Sequence, residues 1–317
     1  MMQVRVDPQH AGSRIDVVIS ASLDISRAQA ARRIAAGEVT VNNKPVAKSY
    51  VVAAGDVLDI VHVDPAASVV APPCPPILYR DEHLIVIDKP AGLVVHTGAG
   101  HVGDTLVDAL QAAGVPLAGG DPERRGIAHR LDRDTSGVMV IAVSTTGFDA
   151  LVDAFANRRL QRRYIALVAG TLPAAQGRVE GPIGRDPRDR KRFAVVSAGK
   201  PAATSYKVIA TATTYSGQPL SVLMCQLHTG RTHQIRVHLR ELGHPVIADP
   251  VYGRVGPLTS DLGLVRQALH AYALSGPHPV SRLPLHVRAP VSWDIAQACA
   301  LVNIDLPGLL HEAESTW

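Results

Sequence analysis

His129-Arg130-Leu131-Asp132-Arg133-Asp134-Thr135-Ser136-Gly137 places five charged or titratable side chains in nine positions and runs straight into Val138-Met139-Val140-Ile141-Ala142-Val143. The second half is a continuous, β-branched apolar run bounded by Thr-Ser-Gly, the pattern of a strand covered on both faces. The first half is then a polar loop at the sheet edge, over a cleft, where functional groups collect.

Around this stretch, 317 residues suggest two domains, and 46% hydrophobic with 19% charged residues imply a true core rather than a disordered chain. With only 4% aromatic residues, that core is built from Val, Leu, Ile and Ala. A net charge of +4 and a pI near 9.1 favour a polyanionic partner without deciding the chemistry. The three cysteines, Cys74, Cys225 and Cys299, form no CxxC pair, which argues against a disulfide framework or a structural zinc site and for a reducing cytoplasm. The stretch from Met1 to Asp16 lacks an apolar signal core, and no apolar run approaches the roughly 18–20 residues that span a bilayer. The expectation is a cytoplasmic protein with no membrane partner.

Residues 12–64 read as two helices and a small sheet. Arg14 to Ile19 opens one helical pattern, and Ser26 stands as an N-cap before the alanine-rich Arg27 to Ile34. Gly37 stops that helix, Val39 to Val46 reads as strand, turn, strand, and Gly55-Asp56 turns into Val57 to Val61. Five prolines between Pro65 and Pro76 make residues 65–77 an extended linker and a domain boundary, with Cys74 an incidental member.

The second domain, 78–317, opens with two apolar runs joined by Lys89-Pro90-Ala91-Gly92, read as a hairpin. Helical spacing follows from Thr105 to Leu110, and a helix is predicted over 148–160. A strand comes next, Gln161 to Gly170, with Arg158, Arg159, Arg162 and Arg163 at its entrance and Tyr164 at its mouth. The loop Arg185 to Arg192, with Arg188 and Arg190 among five basic residues in eight, is suited to tracking a phosphate backbone. Gly98, Gly100 and Gly103 have no strand-to-helix context and make no nucleotide fingerprint. The last informative block runs from Leu227 to Arg240 and on through Gly243 to Gly253, with Thr232 placed to cap a helix. His228, His233 and His238 step by five rather than the four that aligns ligands on a helix face, and no acid completes an HExxH form, so no metal is expected.

Residues 12–64 resemble an S4 RNA-binding domain on Ser26-Arg27, the Gly37-to-Asn42 pattern and Gly55-Asp56. That resemblance implies that Arg27, Arg32, Arg33 and Lys44 face RNA, although seven Lys/Arg stand against seven Asp/Glu over residues 1–64. His129-Arg130-Leu131-Asp132 with Thr135-Ser136-Gly137, then Arg162-x-Tyr164-x-Ala166-x-Val168-x-Gly170, then Gly230-Arg231-Thr232-His233-Gln234-Ile235-Arg236, resemble the three motif regions of the RluA/RluD family of pseudouridine synthases. The resemblance covers nearly the whole chain, including the S4-first layout. It implies an α+β fold in which the S4 module precedes a catalytic domain with a mixed, largely antiparallel sheet, flanked by helices around a central cleft.

The same resemblance implies that Asp132 acts at the ribose C1′ of a target uridine, that Arg236 keeps it ionised, and that Tyr164 stacks on the flipped uracil. It makes Arg130 an RNA wedge, while the basic clusters supply Arg162, Arg163, Arg188 and Arg190 as RNA contacts, with Arg231 beside them. Asp134 is read as a turn former and His129 as a loop-ordering hydrogen-bond donor. An isomerisation requires no cofactor. Val94 to Gly100 looks like the RluD branch with Thr97 in place of proline, which favours large-subunit ribosomal RNA over transfer RNA, acted on by a monomer. An RNA-binding assembly factor without activity, or a hydrolase using Ser136 with His129 or a carboxylate pair, would leave the later motifs unexplained.

Overall fold

The structure, a computed structural model, describes residues 2–61, 71–96, 105–121 and 124–315, apart from positions 24, 26 and 255 and the side chains at 28, 29, 32, 314 and 315. Ser26, the glycines at 98, 100 and 103, residues 65–70 of the proline-rich stretch and the Arg32 side chain therefore lie outside the described residues. The chain forms two compact units, which meet in sequence at Ala71 and Pro72.

In the first unit, β1 (Met2–Arg5) is followed by α1 (Ile15–Leu23), α2 (Arg27–Ala35), β2 (Val39–Val41), β3 (Lys44–Pro45) and β4 (Val57–Ile60). The strands form an antiparallel sheet in the order β1-β4-β2-β3. Asn42 and Asn43 both sit at positive φ, 49° and 63°, as a tight reversal between right-twisted strands requires. The Asn42 amide donates to Asp56 Oδ1 at 2.9 Å and its carbonyl accepts from Val57 N at 3.0 Å, so the turn is locked to the next strand. Ile15, Ile19, Ala30, Leu58 and Ile60 close the small core.

The second unit begins with β5 (Ile77–Arg80), β6 (Leu84–Lys89), α3 (Leu106–Ala112), β7 (Ser136–Ala142), α4 (Thr145–Ala156) and β8 (Gln161–Ala169). It continues through β9 (Gln176–Glu180), β10 (Ile183–Arg185), β11 (Phe193–Val195), β12 (Ala203–Thr213), β13 (Pro219–Leu227), α5 (Gln234–Glu241) and α6 (Pro257–Asp261). β14 (Leu269–Pro277), β15 (Pro284–Arg288), α7 (Trp293–Ala300) and α8 (Leu306–Ser315) complete it. A nine-stranded sheet runs β5-β6-β7-β14-β8-β13-β12-β9, with β15 also on β14. Its pairings are antiparallel except β7 with β14, so the sheet is mixed and largely antiparallel.

All seven residues of β7 are buried, because the strand lies between β6 and β14 and packs on both faces. Met139 and Ile141 point into the main core, and Val138 and Val140 into a second cluster with Leu151 and Leu160. Two sequence expectations are corrected here. The hairpin turns at Asp81–His83, where Asp81 Oδ1 accepts from His83 N and Leu84 N at 2.8 Å each, rather than at Lys89–Gly92. The helix expected over 148–160 is α4, begun early by Ser144, whose hydroxyl accepts from Gly147 N, and ended before Arg158, which reverses the chain at φ 54°.

At the start of β7, Gly137 has φ 110°, and a Cβ there would run into the Ala271 carbonyl of β14. Gly137→Ala is expected to cost on the order of 3 kcal/mol, from backbone strain plus overpacking against a main-chain atom. Urea or thermal unfolding of the purified variant checks this, and an unchanged midpoint would show that the β7–β14 junction is not tight.

Candidate active site

The loop before β7 is held largely through its main chain. Lys89, fully buried at the end of β6, donates from Nζ to the carbonyls of Pro90 (2.7 Å), Leu93 (2.9 Å) and Arg133 (2.9 Å). Burial pushes this amine down to about 7, against the pull of Asp134 and Asp132. Three carbonyl acceptors match the three hydrogens of the ammonium form. Gly92 N–H also reaches the Arg133 carbonyl, so the Lys-Pro-Ala-Gly segment wraps the ammonium instead of reversing the chain.

On the other side, Arg266 donates to the Asp134 carbonyl (2.9 Å), to Ser136 Oγ (3.1 Å) and to Asp294 (2.8 Å). Ser136 also meets His270 Nδ1 at 2.9 Å and is buried, which removes it as a nucleophile. His129 departs from expectation: its Nε2 accepts a hydrogen bond from Val140 N at 3.1 Å, so it orders the loop as an acceptor. Burial pushes its ring down to about 3, which keeps it neutral.

Between these anchors Asp132 reaches α5. Arg236 Nη1 donates to Asp132 Oδ2 at 2.9 Å, while Nε and Nη2 grip Asp249 Oδ2 and Oδ1 at 2.7 and 2.9 Å. The Asp249 side chain is fully buried and that of Asp132 is 18% exposed, so only Asp132 can meet a ligand. Asp249 also accepts from Val251 N and Tyr252 N, and although burial would raise it, Arg236 holds it below the ordinary carboxylate value. Burial works against the Arg236 charge too, but the two carboxylates more than offset it and its pKa is raised.

Tyr164, central in β8 between β13 and β14, is buried against the same space. Burial, with the Asp132 charge behind it, raises its hydroxyl against the pull of Arg162, so it stays protonated. A cavity of about 520 Å³ gathers Asp132, Tyr164 and Arg236 with Arg130, Arg162 and Arg231. That volume is in the range of small-ligand pockets. Arg162 lies over the Phe155 ring at 5.0 Å and close against Gly230, where a Cβ would sit 2.9 Å from its Nη1.

The other proposed RNA contacts lie elsewhere. Arg163 is on β8 but does not line this cavity, and Arg188 and Arg190 belong to the loop between β10 and β11. In the first unit Arg27 pairs with Asp16 at 3.1 Å and Arg33 with Glu38 at 3.5 Å, and Lys44 is exposed on β3.

The three spaced histidines go to separate partners. His228 meets Ser205 (2.8 Å), His233 meets Tyr252 (2.9 Å) and His238 meets Thr204 (2.9 Å). Among the described residues no group of His, Cys, Asp and Glu is arranged to hold a metal. Thr232 does not cap α5. The N-cap is His233, and the turn is closed instead by Gln234, whose Oε1 accepts from Thr229 Oγ1 (2.6 Å) and Arg231 N (3.0 Å). Lys89, Asp249, Gln234 and Arg266 carry the site's framework and were not singled out from the sequence. The available signals were a lysine closing an apolar run before Pro-x-Gly and an aspartate in the apolar Val246-Ile247-Ala248 turn.

A carboxylate clamped by a buried arginine, a buried tyrosine beside it and a rim of further arginines, set on a mixed sheet, define an RNA-modifying enzyme of the pseudouridine synthase type. Residues 83–241 match the RNA pseudouridylate synthase family and residues 13–58 match the S4 domain, and the chain belongs to this family. A protein of Chloroflexus aurantiacus called an uncharacterized RNA pseudouridine synthase is 45% identical over 92% of this chain and 90% of its own length. The ribosomal large subunit pseudouridine synthase D of Xanthomonas campestris pv. campestris is 37% identical over 96% of this chain and 93% of its own. Among solved structures, human RNA pseudouridylate synthase domain containing 4 is 26% identical over 71% of this chain and 92% of its own, with a TM-score of 0.57.

Lys89→Met tests the anchoring of the loop. The Pro90 and Leu93 carbonyls lose their donor and that of Arg133 keeps only Gly92 N–H, so the variant is expected to lose about 2 kcal/mol or more of stability. Its residual folded fraction should turn over RNA more slowly because the Asp132 segment is no longer tied to β6. Denaturant unfolding and single-turnover assays measure the two effects, and unchanged values in both would show that the ammonium is dispensable.

Proposed function

We propose that this enzyme converts uridines of large-subunit ribosomal RNA to pseudouridine with Asp132 as the catalytic carboxylate. The observation that carries the reading is the Arg236–Asp132 contact at 2.9 Å, on the wall of a cavity shared with Tyr164 and Arg130. The rRNA substrate class is supported by the near full-length match to a relative named for the large ribosomal subunit and by the S4 match.

In this reading the target base is turned out of its stack, at a cost of a few kcal/mol recovered by contacts in the pocket. Arg130, exposed at the cavity mouth, fills the space the base leaves. Asp132, held by the Arg236 guanidinium, acts at the ribose C1′ as the N1–C1′ bond breaks. The uracil rotates against Tyr164, C5 bonds to C1′, and the proton lost from C5 is balanced by one gained at N1, so the product is an isomer of the substrate. Arg162 and Arg231 hold flanking phosphates, and Arg163, Arg188 and Arg190 extend the contact outside the cavity.

Residues 12–64 serve as the S4 RNA-binding domain, with Arg27, Arg32, Arg33 and Lys44 toward RNA, 65–77 as the linker and 78–317 as the catalytic domain. The enzyme works as a monomer in the cytoplasm, a compartment supported by its three cysteines all being free thiols. No helix among the described residues is long and apolar enough to cross a membrane.

Asp132→Asn should lower pseudouridine formation by on the order of 10⁴-fold while RNA affinity changes little. Mass-spectrometric mapping of the product together with a filter-binding assay checks both, and retained product would refute the assignment. Deleting residues 1–64 should weaken binding to full-length rRNA more than turnover on a short RNA. The dependence of log K on log salt should become shallower by about one unit of slope for each phosphate that the shortened protein leaves unneutralised. Equal activity and an equal slope would count against the S4 role.

A further inference from the structure

His233 has no place in the mechanism above, yet its backbone and its side chain are both constrained beside Asp132. It sits at the N-cap of α5 with φ 55° and ψ 22°, a left-handed conformation that strains a residue bearing a Cβ, and its side chain makes no capping bond to its own helix. What holds it there is packing of the ring. Phe193 of β11 and Tyr252 both meet the imidazole edge-on, at 5.6 Å between centroids. Nδ1 lies 2.9 Å from the Tyr252 hydroxyl, and Nε2 lies 3.8 Å from Asp132 Oδ1. Oδ1 is the carboxylate oxygen that Arg236 does not hold, since Arg236 Nη1 is on Oδ2.

The hydrogen bonds at the Tyr252 hydroxyl point to one tautomer of the ring. Phe193 N–H donates to the Tyr252 oxygen at 3.0 Å, so that oxygen is already an acceptor. The hydroxyl hydrogen then goes to His233 Nδ1, which must be unprotonated to take it, and a neutral ring carries its hydrogen on Nε2. Burial lowers His233 and raises the Tyr252 hydroxyl, which favours the neutral imidazole and the protonated phenol that this chain needs. The charged groups acting on the ring are Asp132, Arg236, Asp249 and Arg130.

We propose that His233 is a positioning residue for Asp132: its Nε2–H, set by the Phe193–Tyr252–His233 chain, orients Oδ1 toward the ribose when the target nucleotide enters. The inference rests on Asp132 being the catalytic carboxylate. Closing 3.8 Å to hydrogen-bond distance takes a shift of about 1 Å, and catalytic hydrogen bonds are commonly longer before substrate binds. A ring protonated at Nε2 cannot act as a base there, which separates this role from proton abstraction.

The test uses the full chain and an rRNA fragment containing the target uridine. ¹⁵N NMR of imidazole-labelled wild-type protein near neutral pH should show His233 as the Nε2–H tautomer. His233→Phe keeps an aromatic ring between Phe193 and Tyr252 and should slow single turnover about 10- to 100-fold with RNA affinity within about twofold. Tyr252→Phe keeps His233 but releases the tautomer; turnover should fall and the ¹⁵N signals should shift toward a mixture. A His233→Phe rate within about twofold of wild type overturns the proposal, as does an Nδ1–H tautomer in wild type, a spectrum that also decides the matter if the phenylalanine variant does not fold. Retained turnover in Asp132→Asn would instead overturn the assignment of Asp132, whatever His233 does.

Discussion

The site depends on one guanidinium serving two carboxylates. Arg236 commits Nε and Nη2 to Asp249, in the planar two-point geometry that suits arginine, and this leaves Nη1 for Asp132. A buried cation facing a single carboxylate would be balanced and would offer no further attraction. Facing two, it is held more firmly in its charged form, with Asp132 the more exposed of its partners. Asp249 therefore matters without touching the cavity: it fixes the plane of the guanidinium and so the direction in which Asp132 is held. Replacing arginine with lysine would keep the charge but lose the fork that serves both partners at once.

That arrangement is useful only if Asp132 arrives in one place, and the surrounding loop is organised to ensure it. Lys89 takes the Arg133 carbonyl from one side, and Arg266 takes the Asp134 carbonyl from the other. Both bonds are to main chain, so they fix the path of the loop without constraining which side chains it displays. The cost is a lysine buried deeply enough to pull its pKa to about 7. Such burial is tolerated because three carbonyls accept from it and Asp132 and Asp134 lie within its field.

What could be read from the sequence follows from where each signal resides. The strand over Val138–Val143 and the polar loop before it were legible because period and composition are local properties, and the motif residues Asp132, Tyr164 and Arg236 do meet in one cavity. Lys89 was not legible as a loop anchor, since two of its three acceptors are its near neighbours and the third lies 44 positions away. Lys-Pro-Ala-Gly has the composition of a turn, but the ammonium it encloses overrides that reading, and the Asp81 carboxylate reverses the chain instead. Thr232 is the better cap by propensity, yet His233 occupies the position because Phe193 and Tyr252 hold its ring. Local rules fail here where the fold serves the site, the expected place for such failures.

Charge around the cavity separates attachment from chemistry. Among the described residues, no carboxylate lies within ion-pair distance of Arg130, Arg158, Arg162 or Arg231, although all four line the space. Arg133 and Arg159, outside it, are paired with Asp134 and Asp153. Arg130, Arg158 and Arg231 are exposed and Arg162 is half-buried, so these cations are open to the phosphates of a bound strand. Those contacts reward any RNA backbone and carry no base sequence. Under the proposed function, selection of one uridine then comes from what the free strand can do: yield a base that flips at low cost, and bring its ribose to the carboxylate that Arg236 and the loop anchors hold on the cavity wall.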